Sequence, residues 1–301
     1  MTIFHANGKL LISGEYLVLN GALSLAVPTK KGQSLKHEPK DISFLHWKSL
    51  DENGKVWFEA KFNTKDFNII ETSDKKKGEK LKNILLKANE LNNNKNRLNG
   101  FVTTQLEFPV EWGLGSSSTL ISCIAKWLSI DPFELHFKVS NGSGYDIACA
   151  ENNTSIIYQL VDRNPIIKNI EWNPTYHESL FFVHLNIKQN SNNEVIRFTK
   201  NTKNINTDHI SNRISEITRS IIQCNQLDKF NSHIEEHEKT MSQMLNLPTI
   251  KDDKFPDYNG SIKSLGAWGG DFILATGGEK ERTYFKSKGY NIQFEFKDMI
   301  K

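Results

Sequence analysis

Pro109-Val110-Glu111-Trp112-Gly113-Leu114-Gly115-Ser116-Ser117-Ser118-Thr119-Leu120 sets two glycines, one residue apart, and a run of hydroxyl side chains immediately before the apolar segment Leu120 to Leu128. That segment reads as a helix, so the glycines and serines fall at its N-terminus. Helix N-termini carry unpaired N–H groups and a partial positive charge, and they bind anions. Gly113 and Gly115 let the backbone approach a charged oxygen closely, while Ser116, Ser117 and Ser118 add hydroxyl donors or cap the helix. An ordinary capped turn is the other reading of this stretch taken alone. Upstream, Phe101 to Phe108 alternates polar and apolar positions and reads as a strand that delivers the chain into the loop. Strand, glycine-serine loop and helix, in that order, are the setting an anion-binding turn needs.

The chain has 301 residues, enough for one large or two medium domains with a substantial core. Its 38% apolar content and 18 phenylalanines are a globular composition. Lysine and arginine number 38 against 35 acidic residues, a net charge of +3 with no long single-sign block, so no nucleic-acid partner is expected. Lys75-Lys76-Lys77 reads as a solvated face. Cys123, Cys149 and Cys224 are odd in number and far apart, with no Cys-x-x-Cys unit. A reducing compartment is expected, and a structural metal site is not. No basic segment leads into a long apolar run and no run has membrane length, which predicts a soluble cytoplasmic protein without a membrane partner.

Towards the N-terminus, Thr2 to His5, Leu10 to Ile12, Ala22 to Val27, Ile42 to Leu45, Val56 to Phe62 and Phe67 to Ile70 read as short strands of a meandering sheet. Leu81, Ile84, Leu85, Ala88 and Leu91 recur at helical spacing and place one helix face on that sheet. Beyond Leu128, Asp131 as N-cap and Pro132 at the first helical position start a helix reaching about Val139. Asn141-Gly142-Ser143-Gly144 stops it, and Ser155 to Tyr158 is a strand. The polar, proline-bearing segment Asp162 to Thr175 is the expected boundary between two domains, 1–165 and 166–301. The second should hold a strand at Leu180 to Leu185, a polar loop at Lys188 to Asn193, and helices over His209 to Cys224 and Leu227 to Leu245. Strands around Gly266 to Ala275, Thr283 to Phe285 and Tyr290 to Phe296 complete an α+β lobe.

A Gly-x-x-x-x-Gly-Lys-Ser/Thr loop is absent, and Gly277-Gly278-Glu279-Lys280 has the wrong spacing and reads as an exposed turn. Gly113-Leu114-Gly115 lacks the third glycine of a dinucleotide fingerprint, and Gly113 to Ser117 lacks the Gly-x-Ser-x-Gly order of a hydrolase elbow. Three stretches together do resemble a known group, the GHMP small-molecule kinases, which include galactokinase, homoserine kinase, mevalonate kinase and phosphomevalonate kinase. They are Gly8-Lys9-Leu10-Leu11-Ile12-Ser13-Gly14-Glu15-Tyr16, Pro109 through Ser118, and Ser264-Leu265-Gly266-Ala267-Trp268-Gly269-Gly270-Asp271. Their order and separation cover nearly the whole chain. Gly142-Ser143-Gly144-Tyr145-Asp146-Ile147-Ala148 is similar to the phosphomevalonate-kinase segment that carries the catalytic aspartate, and Asp271 leans towards the same branch. The pattern also resembles a bacterial subgroup named for its Gly-Tyr-Asp-Ile-Ala segment.

The resemblance implies an α+β, two-lobed fold, with an N-terminal ribosomal-protein-S5-like lobe and a C-terminal ferredoxin-like lobe. It implies ATP and Mg2+ as cofactors. Gly113, Leu114, Gly115, Ser116, Ser117 and Ser118 would bind the nucleotide, and one serine, taken as Ser117, would contact the metal. Asp146 would accept the proton from, or orient, the attacking hydroxyl, a helix cap being its other reading. Lys9 would lie near Asp146 and offset developing charge. Glu15, Lys188, Gly266 and Gly269 fall on the substrate side, Glu15 reading equally as a buried ion pair of the fold. Glu134 lies close to the offset of the family's magnesium-binding glutamate without matching it cleanly, and reads as a solvated helix face. Trp268 and Leu265 stand where the family has smaller residues. The implied reaction is ATP-dependent phosphoryl transfer to a hydroxyl or phosphate of a small acidic metabolite, mevalonate- or phosphomevalonate-like, by a monomer or homodimer. A sugar or amino-alcohol kinase and a nucleotide-binding regulator without turnover are the alternatives.

Overall fold

The computed structural model describes residues 2–93, 98–187, 191–203 and 205–301, the side chains of 191–193 excepted. The chain forms two compact units. The first comprises residues up to Gly8, Lys31–Val110 and Leu114–Glu151; the second comprises Lys9–Lys30, Glu111–Gly113 and Asn152–Lys301.

In chain order the elements begin with β1 (Thr2–Ser13), β2 (Ser24–Glu38), β3 (Phe44–Leu50), β4 (Val56–Asn63), β5 (Ile69–Thr72), α1 (Lys75–Leu91) and β6 (Gly100–Leu106). α2 (Ser116–Leu128), α3 (Pro132–Val139) and α4 (Tyr145–Glu151) follow. In the first unit β6 pairs parallel with β3 and antiparallel with the C-terminal half of β2, while β4 pairs antiparallel with β3 and β5. β6 alternates strictly, with Val102, Thr104 and Leu106 buried, because one face carries the core. Trp47, Phe58 and Phe62 from that sheet pack with Leu81 and Leu85 of α1 and Ile121, Ile124 and Leu128 of α2. The start of α3 is the one the sequence predicts: Asp131 accepts from Glu134 N at 2.7 Å, with Pro132 at the first position of the helix.

β1 is one continuous strand where the sequence suggests two pieces. From Ala6 onward every residue of β1 is buried, and a strand covered on both faces loses the period-two signal. β2 likewise runs through Pro28. That proline lies between the residues paired with the seventh strand (Ser24 to Ala26) and those paired with β6 (Gln33 to Glu38), where a missing N–H removes no bond to either.

The second unit continues with β7 (Ser155–Val161), β8 (Asn164–Ile170), β9 (Leu180–His184), α5 (Ser191–Thr202), α6 (Asp208–Gln223), α7 (Leu227–Leu245) and α8 (Ile250–Lys254). It ends with β10 (Ile262–Leu265), β11 (Phe272–Thr276), α9 (Glu279–Ser287), β12 (Gln293–Glu295) and α10 (Phe296–Met299). β10, β11, β9 and β12 form, in that order, an antiparallel sheet around the fully buried β9. Phe181 and Val183 of β9 pack with Phe255, Tyr258, Ile273 and Phe285. The whole is an α+β fold with a large mixed sheet and a second, antiparallel one. Among the described residues no helix is long and apolar enough to cross a membrane.

Three expectations need correction here, and the segment expected to be the domain boundary holds a hairpin, in which Asp162 and Arg163, both left-handed, turn β7 into its partner β8. β8 is an edge strand, which tolerates Pro165. The polar run read as a loop enters α5 at Ser191, and the apolar residues of that helix, buried Phe198 among them, lie beyond the run. Thr283 to Phe285 lies in α9, whose start is marked by Gly278 N donating to Glu281 Oε2 at 2.8 Å. Residues Gly266 to Asp271 are a loop between β10 and β11, its backbone left-handed at Gly266, Gly269 and Asp271.

Candidate active site

Gly113 and Gly115 have φ of 66° and 91°, and Gly115 is the N-cap residue of α2 with no side chain capping it. The first amides of α2 are therefore left without a side-chain cap, as an anion cradle requires. Ser118 is buried, and its hydroxyl donates back to Gly115 O at 2.8 Å. Thr119 donates to Gln33 Oε1 at 2.7 Å, which fixes the first turn from behind. Ser117 is exposed, and neither its hydroxyl nor that of Ser116 has a partner among the described residues. Leu114 is buried, so it can offer a ligand only backbone.

Residues Glu111–Gly113, which precede this turn in sequence, belong to the second unit. Trp112 packs edge-on against Phe272 and Phe294, with ring centroids 5.8 and 5.1 Å away. Lys9, 8% exposed, donates from Nζ to Gly113 O at 2.8 Å. A β-carbon on Gly113 would fall on the carboxyl group of Asp271. The first and third glycine-rich stretches thus both reach the first glycine of the loop, one with an ammonium and the other with a carboxyl group.

Behind them lies a buried charge cluster. Lys263 on β10 is fully buried and donates to Glu15 Oε1 and to Ser264 O, each at 2.6 Å, while Glu238 Oε1 lies 3.0 Å from the same ammonium. His237 Nε2 accepts from Gly14 N at 3.1 Å and sits 3.3 Å from Glu15 Oε2. Burial works against the Lys263 charge, but Glu15 and Glu238 outweigh it and hold the ammonium above its usual value. Burial pushes Glu15 up, Lys263 opposing it, and drives His237 well below its ordinary range, so the imidazole is neutral. Burial likewise lifts Glu238 to about 7. Its folded value thus exceeds the unfolded one of 4.5, so the stability it contributes is complete below that value and lost as pH rises through about 7. The gap corresponds to on the order of 3 kcal/mol. His237 acts in the opposite sense below 6.5, so the informative quantity is a difference between proteins. Glu238→Gln should gain melting temperature relative to wild type between about pH 5 and about pH 8. A difference that stays flat across that range would mean Glu238 keeps one protonation state on folding.

No protein-family model and no curated protein sequence matches this chain. Solved structures do. Streptococcus pneumoniae phosphomevalonate kinase, in complex with phosphomevalonate and AMPPNP, superposes with a TM-score of 0.72 at 18% identity, over 98% of this chain and 99% of that one. L. major mevalonate kinase in complex with R-mevalonate gives 0.65 at 14% identity, over 98% and 94%. Lactococcus lactis galactokinase complexed with galactose gives 0.64 at 12%, over 97% and 92%. This is the GHMP kinase fold.

Within the GHMP kinase fold the remaining candidates fall as follows. Asp146 is half-buried in the first turn of α4, where its Oδ1 accepts from Ile147 N at 3.0 Å, and it has no other partner among the described residues. α4 packs on α2 in the first unit. Glu134 is exposed on α3, the solvated-face reading. Glu15 is 2% exposed and bound to Lys263, the ion-pair reading. Lys188 lies outside the described residues. Gly266 and Gly269 bend the third stretch. Trp268, the departure from the GHMP pattern, is braced: its backbone N donates to Tyr16 Oη at 2.8 Å and its indole N–H to Pro248 O at 3.0 Å. Sequence reading assigned no role to His237, Glu238, Lys263 or Asp271. A signal for the first two existed, since His237 and Glu238 fall on the apolar stripe of α7 with Phe230, Ile234 and Met241.

Proposed function

We propose that the protein is an ATP-dependent small-molecule kinase that phosphorylates a hydroxyl or phosphate of a small acidic metabolite, mevalonate- or phosphomevalonate-like. The observation that carries this reading is the hydrogen bond from Lys9 Nζ to Gly113 O, which joins the lysine of the first stretch to the glycine loop ahead of an uncapped helix N-terminus. The left-handed glycines and the free first-turn amides of α2 suit the phosphates of a nucleotide. Magnesium, a hard cation that keeps water and phosphate oxygens as ligands, would add the exposed Ser117 hydroxyl, since Ser118 bonds inward. When bound, the magnesium nucleotide supplies the transferable phosphoryl group. Asp146 takes the proton of the acceptor hydroxyl, and Lys9 offsets the charge that develops during transfer. Gly266 and Gly269 bring backbone to the substrate side, and Lys188 meets an acidic group of the acceptor. Glu15 serves from behind, through Lys263. Little covalent participation is required of the protein, so positioning and electrostatics supply the rate.

The test is turnover of ATP to ADP by the magnesium-loaded protein against mevalonate, phosphomevalonate, homoserine and simple sugars, with the phosphorylated product detected directly. Product from an acidic alcohol is expected. Product from a neutral sugar alone would move the assignment to a sugar kinase, and nucleotide binding without any product would favour a regulator.

A further inference from the structure

The carboxyl group of Asp271 is built into the phosphate loop from behind, and no role has yet been given to it. Its backbone is left-handed, φ 54°, a conformation that costs a residue with a side chain about 1 kcal/mol or more and persists where surroundings enforce it. The enforcement is visible. Asp271 N donates to Ile187 O and its own carbonyl accepts from Leu185 N, each at 2.8 Å, which locks the residue to the chain leaving β9. Its side chain is 4% exposed. All three atoms nearest to a β-carbon built on Gly113 are its Cγ, Oδ1 and Oδ2, and a β-carbon on Gly266 would lie 3.7 Å from Oδ2. The next residue repeats the contact, because Phe272 meets the ring of Trp112, the residue before Gly113. Asp271 and the first residue of β11 therefore match two successive residues at the start of the loop.

We propose that Asp271 is a positioning residue for nucleotide binding. By its shape, its carboxyl group fills the space beside Gly113 and holds that glycine at φ 66°, while Lys9 grips the Gly113 carbonyl. Gly113 is thereby pre-set before any phosphate arrives, and pre-setting a loop raises affinity by removing the cost of ordering it. The same geometry explains why position 113 is glycine: both its positive φ and the space the carboxyl group occupies exclude a side chain. The inference rests on the kinase reading above.

Two substitutions separate shape from backbone strain. Asp271→Gly keeps the left-handed backbone at no steric cost and removes the wedge; Asp271→Asn keeps the wedge and removes the charge. Binding of the magnesium complex of AMPPNP, measured by calorimetry alongside melting temperature, is expected to weaken about tenfold in Asp271→Gly. Asp271→Asn should bind within about threefold of wild type, the conservative residue restoring the loop. Gly113→Ala should bind worse than either, and adding Asp271→Gly to it should recover part of the loss, because the clash disappears while the strain at φ 66° remains. A wild type that binds nucleotide while Asp271→Gly binds equally well overturns the positioning role alone, even if melting temperature falls. Asp271→Asn as weak as Asp271→Gly overturns the shape account. A folded wild type that binds no nucleotide overturns the kinase reading and this role with it.

Discussion

Asp146→Asn is expected to lower turnover by about 100-fold to 10,000-fold while nucleotide affinity stays within about threefold of wild type, the range ascribed to a positioned general base. Asparagine has the volume of aspartate, and its carbonyl oxygen can still accept from Ile147 N, the one bond that Asp146 makes among the described residues. The start of α4 and its packing on α2 should therefore survive, and melting temperature should move little. What disappears is a second oxygen able to take a proton. Single-turnover kinetics in the best acceptor identified by the substrate panel, together with AMPPNP binding, separates the possibilities. Loss of turnover with binding retained supports the role. Turnover within about threefold of wild type would reduce Asp146 to a first-turn acid that suits the N-terminus of α4 and bonds Ile147 N.

The parts of the fold legible in the sequence are those whose signal is local. α2, α3, α6 and α7 follow from apolar spacing and, for α3, from Asp131-Pro132; the glycines at 113 and 115 mark the turn they make. β8 was hidden because it is an edge strand that carries Pro165 and leaves Ile166 exposed, and α5 because it opens on the polar Ser191-Asn192-Asn193. Thr283 to Phe285 misleads because β-branched and aromatic residues favour strands, whereas Gly278 and Glu281 decide for a helix. The site divides in the same way. Gly113 and Gly115 stand out within their own stretch, whereas Lys9 and Asp146 take their roles through the resemblance, and nothing local singles out Ser117 among the three serines. Glu15, His237, Glu238 and Lys263 acquire meaning only when residues more than two hundred positions apart are brought to within 2.6 Å, as Lys263 and Glu15 are. Asp271 is similar: its place at the end of a glycine motif is readable, but its partner at 113 is fixed by tertiary structure alone.

Lys263→Met should destabilise the protein by about 3–5 kcal/mol near pH 8, because it strands two buried carboxyl groups without their cation. Glu15 and Glu238 are 2% and 3% exposed, and burial already raises both; Lys263 is the charge that opposes that rise. Without it their folded values climb further above the unfolded ones. The added penalty is therefore present at high pH and is relieved as the groups take up protons on acidification. The melting-temperature deficit of Lys263→Met should accordingly shrink from about pH 8 to about pH 5. Glu238→Met placed on top of Lys263→Met should restore part of the loss, since a stranded carboxylate is then replaced by an apolar side chain of similar length. Nucleotide affinity should fall together with stability. The cluster ties Glu15, next to the Tyr16 that accepts from Trp268 N, to the strand that leads into Gly266 and Asp271, and Asp271 in turn packs on Gly113. A Lys263→Met protein that melts with wild type at pH 8, or whose deficit is unchanged by acid, would mean that the carboxyl groups are already neutral and that the cluster is held by packing instead of charge.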